Sequence, residues 1–341
     1  VPPCINKYYN LDLQEKNSFV KFTVDQGIDV FLLSWINPDR SYFDVGLEDY
    51  IRDGILNAFG IVKKISESES VNALGYCIGG TLLATALSYM KKINDRSVKT
   101  ATFFTTLTDF EEVGDLSVFL NQEYISAITQ QITEDGVLGG EMLSQSFNFL
   151  RSKDLIFSPA RRSYLMGKKP PAFDILYWNG DKTNLPGKMA LEYLDLLYKN
   201  NLFSKGRLCL LNHSLTLSDI EQPIFSVAAR KDHIAPWKSC FKGLNKTSGE
   251  KTFILAESGH IAGVINPHGS EKYGYCTIES SVENNQDQFN EMNSLSGSWW
   301  GEWSQWLKEK SGSLREPPIC GKNKVYPELE PAPGRYVMKK Y

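Results

Sequence analysis

Gly75-Tyr76-Cys77-Ile78-Gly79-Gly80 has the shape of a nucleophile elbow, the G-x-S-x-G turn of hydrolases, with a thiol where the pattern has a hydroxyl. Such an elbow is a strained strand-to-helix turn that lifts one side chain above a sheet, and its glycines leave room for close backbone approach. The flanks fit that order. VNALG (71–75) is a short apolar run suited to a buried strand, and GTLLATALSYM (80–90) suits a helix. Together they form a stretch from 71 to 90 that approaches membrane-spanning length. Its glycines, and the order strand, turn, helix, favour the elbow over a span. Cys77 is the candidate nucleophile, and the backbone N–H of Ile78 points to an oxyanion hole. The positive end of the following helix and a neighbouring imidazole would each favour the thiolate. A small buried cysteine in a glycine-rich turn fits the same five residues, so the partners decide between the two.

Outward from the elbow, the chain alternates. VFLLS (30–34), stopped by Pro38, is expected to be a buried strand. Leu47, Tyr50, Ile51, Ile55, Ala58, Phe59, Val62 and Ile65 recur at helical spacing, which predicts an amphipathic helix. Then come the elbow strand, its helix, and the run VKTATFFTTL (98–107). Strands and helices in alternation, with nearly continuous apolar strands, imply an α/β fold: a mostly parallel sheet flanked by helices. The alternation breaks at Thr108 and resumes with PIFSVAA (223–229), a helix from about Pro236, and KTFILA (251–256). Residues 1–107 and 223–341 are therefore expected to form two parts of one core, with 108–222 inserted as a cap; a second independent domain is the alternative. Helical patches in the insertion include MLSQSFNFL and MALEYLDLLYK, beside a Pro170-Pro171 pair. SWWGEWSQWLKEK is expected to pack Trp299, Trp300, Trp303 and Trp306 onto the sheet, after a polar stretch carrying Glu279, Glu283 and Asp287. The tail PELEPAPGRYVMKKY is expected to be extended.

A thiol nucleophile needs a base, and there are four histidines. His260 follows KTFILA and the turn Glu257-Ser258-Gly259, beyond the end of a sheet strand. Asp232 follows PIFSVAA in the same way. Nucleophile, acid, base is the chain order of α/β-hydrolases. His233 is a candidate supporting residue, with a capping or purely structural pairing with Asp232 as the alternative. His213 in LLNHSL and His268 after Asn266-Pro267 are taken as plain polar residues. No His or Cys pair has metal-ligand spacing, and no metal is expected.

Composition excludes little else. A net charge of −3, with Lys and Arg scattered among as many acids, leaves no basic footprint for nucleic acid. Cys4, Cys77, Cys209, Cys240, Cys276 and Cys320 are widely spaced, so reduced thiols in a cytoplasmic protein are expected rather than a disulfide framework. The opening VPPCINKYY has no charged segment followed by an apolar one, hence no visible signal peptide.

With GYCIGG, KDHIAPW, ESGHIAGVINP, VPPCINKYY and FDILYWNGDKTNLPG in view, the chain resembles the class I polyhydroxyalkanoate synthases over nearly its whole length. The resemblance implies an α/β-hydrolase fold with an inserted cap. It implies an acyltransferase that polymerises (R)-3-hydroxyacyl-CoA, the short-chain 3-hydroxybutyryl thioester above all, into polyester and releases coenzyme A. It carries over Cys77 as nucleophile, His260 as general base and Asp232 as its acidic partner, and it points to the backbone near Ile5 and Asn6 as the second oxyanion donor. Trp178 in YWNGD is a candidate cap residue near the acyl tunnel, a packed cap aromatic being the alternative. No cofactor is implied beyond the coenzyme A of substrate and product. The expected partners are the growing polyester, a second copy of the chain in a homodimer, and the granule surface, with no membrane span. Family members begin with a further N-terminal domain, so the sequence is expected to be a catalytic portion. Asn10, where an apolar residue is expected, and SPARRSYLMG depart from the family pattern. Two other functions stay open: a cysteine esterase or lactone hydrolase of the same fold, and a non-enzymatic granule-associated binding protein.

Overall fold

Four of the apolar runs form neighbouring parallel strands. These are β1 (Val71–Tyr76), β2 (Val98–Phe104), β3 (Ile224–Ala229) and β4 (Lys251–Ala256), hydrogen-bonded in that order. Beyond β4, β5 (Gly274–Glu279) pairs antiparallel with β4, and the short β6 (Leu295–Ser296) pairs antiparallel with β5. The computed structural model of the protein describes residues 1–143, 166–167, 174–279, 294–319 and 321–340. Residues 144–150 of the expected MLSQSFNFL helix, Pro170-Pro171, most of SPARRSYLMG, Glu283, Asp287 and Cys320 lie outside them.

Side chains alternate across a strand, and the alternation here sorts them into two cores. Phe103, Ile224, Ala228, Phe253 and Leu255 face a layer holding Ile51, Ile55, Leu82, Leu83 and Leu87. Phe104, Phe225, Val227, Ile254 and Ala256 face a layer built on Phe19, Trp299, Trp300 and Trp303. Each large apolar side chain fully buried in this way contributes about 1.5–3 kcal/mol of transfer free energy. The mostly parallel α/β sheet covered on both faces is thus the one the sequence led to.

The helix after the elbow, α1 (Ile78–Lys92), is buried on nearly every side, which its uninterrupted apolar and small residues permit. The expected helix before β1 is present as three consecutive helical segments, Leu47–Asp49, Tyr50–Leu56 and Asn57–Ser66, the middle one π-helical. Between β2 and β3 the chain leaves the sheet and returns to the neighbouring position. On that excursion lie α2 (Asp174–Gly180) and the MALEYLDLLYK segment, helical from Gly187 to Lys199. Helix α3 (Trp237–Asn245) follows β3.

Helix α4 (Trp300–Ser311) and the Trp299 before it cover the second core. Their indoles also tie down polar groups. Trp299 and Trp300 donate to the carbonyls of Gly263 and Val264, each at 2.9 Å, and Trp303 donates to the Thr102 hydroxyl at 3.1 Å. The turn that follows β4 is thereby held from behind.

The expected strand at 30–34 is not formed. The Tyr76 amide on the edge of β1 donates to the Val1 carbonyl at 3.1 Å, so the N-terminal segment occupies that edge. Residues 30–34 pair with no described strand, and Phe31 is 40 % exposed. The run's apolar end is used locally instead: Trp35 donates to the Pro2 carbonyl at 3.1 Å and packs on Tyr50. The C-terminal tail has one helical turn, Tyr336–Met338, and is otherwise irregular among the described residues. No helix among the described residues is long and apolar enough to cross a membrane.

Candidate active site

Cys77 sits at the hinge between β1 and α1 with φ 53° and ψ −124°, a conformation that L-residues rarely adopt. The hinge is fastened on both sides. Its amide donates to the Phe104 carbonyl at 2.9 Å, and its carbonyl takes the amides of Gly80 and Thr81 at 2.9 and 3.2 Å. Close approach explains the glycines. A Cβ on Gly79 would overlap the Val1 and Pro2 carbonyl oxygens, and one on Gly75 would strike the Gly80 Cα at 2.5 Å. The segment preceding Cys4 is therefore laid directly over the elbow. Ile78 opens α1, so its amide belongs to the first-turn donors that have no partner within the helix.

Asp232 lies just past β3 and His260 just past β4, beyond the same ends of the sheet. Oδ1 of Asp232 accepts from the amides of Ile234 and Ala235 at 2.8 and 3.0 Å. Oδ2 lies 2.7 Å from Nδ1 of His260. Facing a carboxylate, Nδ1 carries the hydrogen, and Nε2 is left for chemistry. The Asp232 side chain is wholly buried and that of His260 is 11 % exposed. Burial pulls the His260 pKa down, but it is outweighed. The charges of Asp232 and Cys77, and side-chain hydrogen bonds to both, raise it well above the usual value of 6.5. Cys77 is thus near enough to act on the imidazole electrostatically, and together with the buried Asp232 carboxylate it favours the imidazolium form of His260.

Tyr76, one residue before the nucleophile, also contacts His260. Its ring stacks on the imidazole, with centroids 5.7 Å apart and planes 20° from parallel, and its hydroxyl donates to the His260 carbonyl at 3.1 Å. No motif in the sequence assigns this residue a role. Its only signal was position: the variable site of the elbow is fixed one step from sulfur.

The other candidates are placed as follows. Asn6 bridges to Lys182 in antiparallel fashion; the flanking bonds use the Ile5 carbonyl, with Thr183 at 3.0 Å, and the Lys7 amide, with Asp181 at 3.4 Å. These bonds leave the Ile5 and Asn6 amides out of the ladder. Trp178 on α2 is buried and donates its indole N–H to the Lys7 carbonyl at 2.7 Å, so it packs under that same segment. His233 follows Asp232 in the chain and is half-buried, while the bonds that steady Asp232 come from Ile234 and Ala235. His213 bonds the Leu211 carbonyl through Nδ1 at 2.7 Å, and His268 stacks on Phe22. Among the described residues, no group of three or more His, Cys, Asp or Glu is arranged to hold a metal, and Cys4, Cys77, Cys209, Cys240 and Cys276 are in no disulfide.

Lys7 was also missed. Its ammonium is fully buried, 2.8 Å from Asp181, and donates to the backbone carbonyls of Val337 and Lys339. It binds the C-terminal tail to the segment that carries Ile5 and Asn6. A lysine three residues beyond a cysteine in a largely apolar opening was the available hint.

Sulfur, imidazole and carboxylate in this order can form and resolve a covalent acyl intermediate. Known proteins resemble the chain along its length. It is 42 % identical over 341 residues to a poly(3-hydroxyalkanoate) polymerase of Methylorubrum extorquens, covering 100 % of this chain and 56 % of that protein. It is 39 % identical over 336 residues to the poly(3-hydroxyalkanoate) polymerase subunit PhaC of Rhizobium meliloti, covering 98 % and 55 %. The subunit PhaC of Cupriavidus necator is 38 % identical over 348 residues, covering 100 % and 59 %. The chain thus spans little more than half the length of these relatives. A family model described as the alpha/beta hydrolase fold matches residues 3–267. With that match over most of its length, and with an elbow, an acid and a base at the ends of a mostly parallel sheet, the chain belongs to the α/β-hydrolase fold family.

Proposed function

We propose that this chain is the catalytic portion of a polyhydroxyalkanoate polymerase. The observation that carries the reading is a cysteine at the tip of a strained elbow, whose charge acts on an imidazole that is itself bonded at 2.7 Å to a buried carboxylate. The similarity to curated polymerases supports the substrate class, a 3-hydroxyacyl-CoA.

The Cys77 thiolate attacks the thioester carbonyl, and the amide of Ile78, with one from Ile5 or Asn6, stabilises the oxyanion. The intermediate collapses by breaking the carbonyl carbon's bond to coenzyme A, whose sulfur takes the proton held on Nε2 of His260. Because one thioester replaces another, little free energy is lost and the acyl group stays activated; a serine ester would be a deeper trap. The neutral His260 then accepts the proton from a 3-hydroxyl of another unit as that oxygen attacks the acyl carbon; the acyl carbon's bond to Sγ of Cys77 breaks, the thiolate is regenerated beside the imidazolium, and the polymer grows by one ester. Asp232 steadies the imidazolium.

Water would turn the same site into an esterase, so it has to be excluded. Residues 108–222, which leave and rejoin the sheet between adjacent strands, are proposed as the cap that does this, with Trp178 beside the acyl path. No cofactor is required beyond the coenzyme A of the substrate. A cytoplasmic, granule-associated homodimer is the assembly this reading favours, and a short-chain substrate is preferred.

Mass spectrometry after brief exposure to 3-hydroxybutyryl-CoA tests the proposal. The expected result is one 3-hydroxyacyl group on the peptide containing Cys77, absent from Cys77→Ala, with free coenzyme A and turbid polymer following. An acyl group on the Cys77→Ala protein would overturn the nucleophile assignment. Coenzyme A release with free hydroxy acid alone would favour the hydrolase, and activity indifferent to Cys77→Ala and Cys77→Ser the non-enzymatic reading.

A further inference from the structure

We propose that Tyr76 is a positioning residue for His260, clamping it by ring and hydroxyl together, and that Asn10 and Thr105 set the direction in which that hydroxyl points. The proposal rests on the acyl-transfer reading of the Cys77 site.

Three observations converge on it. The Tyr76 ring lies against the imidazole at 5.7 Å, and its hydroxyl reaches the carbonyl of the same residue at 3.1 Å. One side chain thus restrains both the side chain and the peptide of His260, from an attachment point adjacent to sulfur. Stacking alone would leave the turn free to slide; the added hydrogen bond fixes it along the strand direction. Secondly, Tyr76 is 1 % exposed. Burial, with the nearby charges of Cys77 and Asp232, pushes its phenol well above the ordinary value, so it remains a neutral donor wherever the site works.

The third observation is a polar surplus behind the phenol. Asn10 is 1 % exposed and Thr105 wholly buried, and both lie beside the Tyr76 hydroxyl. Neither the amide atoms of Asn10 nor the Thr105 hydroxyl completes a hydrogen bond among the described residues. Buried polar atoms left in that state are uncommon and call for a reason. The Thr105 backbone is also held in the left-handed region, at φ 41°, with its amide on the Val227 carbonyl at 2.7 Å. A tyrosine hydroxyl has one proton and further acceptor capacity. Asn10 and Thr105 are donors beside it, so its lone pairs can face them while its proton goes to the His260 carbonyl. Asn10, the residue that departs from the apolar pattern in KYYNLDL, acquires a role.

The test measures the pH profile of Cys77 alkylation by iodoacetamide, which needs no acyl substrate, beside kcat, KM and thermal unfolding. Tyr76→Phe keeps the stacked ring and deletes only the hydroxyl. It is expected to lower neutral-pH alkylation and kcat by about tenfold, as loss of one hydrogen bond allows, with KM unchanged. Asn10→Leu removes one of those donors from a buried site and is expected to fold with a melting temperature no lower than the parent's, and yet to lower kcat and alkylation. Should Tyr76→Phe fail to fold, Asn10→Leu carries the test. An alkylation profile and kcat for these variants equal to the parent's, while His260→Gln changes both, would overturn the clamp and leave acyl transfer standing. An alkylation profile that His260→Gln leaves untouched would instead overturn the acyl-transfer reading beneath it.

Discussion

One carboxylate holds two elements together: Oδ2 of Asp232 meets Nδ1 of His260 at 2.7 Å, while Oδ1 takes the amides of Ile234 and Ala235 at 2.8 and 3.0 Å. The two backbone donors leave no freedom about which oxygen faces the ring. In Asp232→Asn the remaining oxygen must stay on those amides, so the new NH₂ faces Nδ1 and forces the ring hydrogen onto Nε2. The variant is expected to fold, and to lose about a hundredfold or more in kcat, the scale of general acid–base catalysis. Stopped-flow measurement of acylation against elongation should find elongation slowed more, because a hydroxyl needs deprotonation and a thioester exchange does not. Equal slowing of both steps would refute this division.

Stability should depend on pH through His260. Burial acts to lower its folded pKa, but Asp232 and Cys77 raise it well above 6.5. A raised pKa means the folded state holds its proton more tightly than the unfolded chain. The stabilisation is complete below about pH 6.5, the unfolded value, and is lost as pH climbs through the folded one. Denaturant midpoints measured upward from pH 6 should therefore show a falling component that His260→Gln abolishes. Cys77→Ala should shrink it, since two of the raising interactions involve that sulfur. An identical slope in all three proteins would rule out the pairing.

Gly79→Ala tests how closely the N-terminal segment is laid on the elbow. Its Cβ would overlap two backbone carbonyl oxygens, of Val1 and Pro2, neither of which can swing aside. The expected loss is about 1–3 kcal/mol, the range for overpacking, read from chemical denaturation. Acylation should slow as well, because the displaced segment leads into Ile5 and Asn6.

Lys7→Met removes a buried cation and strands Asp181, whose side chain is 10 % exposed. Breaking one partner out of a buried pair is worth about 3–5 kcal/mol. The tail should also come loose, since Val337 and Lys339 lose the ammonium that their carbonyls share. Limited proteolysis should then cut within residues 333–340 faster than in the parent, and parental cleavage rates there would contradict the anchoring role.

What the sequence disclosed, and what it hid, divides along one physical line. Periodicity and the elbow signal were enough for β1, α1, β2, β3 and β4, because each run is buried in the sheet and its pattern is set by burial. The placement of Cys77, Asp232 and His260 past the same ends of the strands was legible because each follows such a run. VFLLS (30–34) carries the same apolar signal and forms no strand, since a strand also needs a partner edge and Val1 already occupies the edge of β1. Pairing is a property of the whole chain that no local window contains. Tyr76 and Lys7 were hidden for a related reason. Their contacts reach across 184 residues to His260 and over 330 to the tail. The π-helical turn at Tyr50–Leu56 leaves no mark on the apolar spacing at all.

The backbone angles of Cys77, φ 53° and ψ −124°, place the proposed nucleophile on a residue that the chain holds against its own preference. A side chain in so sparsely populated a region costs about 1–3 kcal/mol. Glycine would sit there without that penalty, so an inert Cys77→Gly protein should melt above its active parent. Selection for heat resistance alone would then tend to erase the reactive thiol, and a thermally improved variant of this chain is worth sequencing at position 77 first.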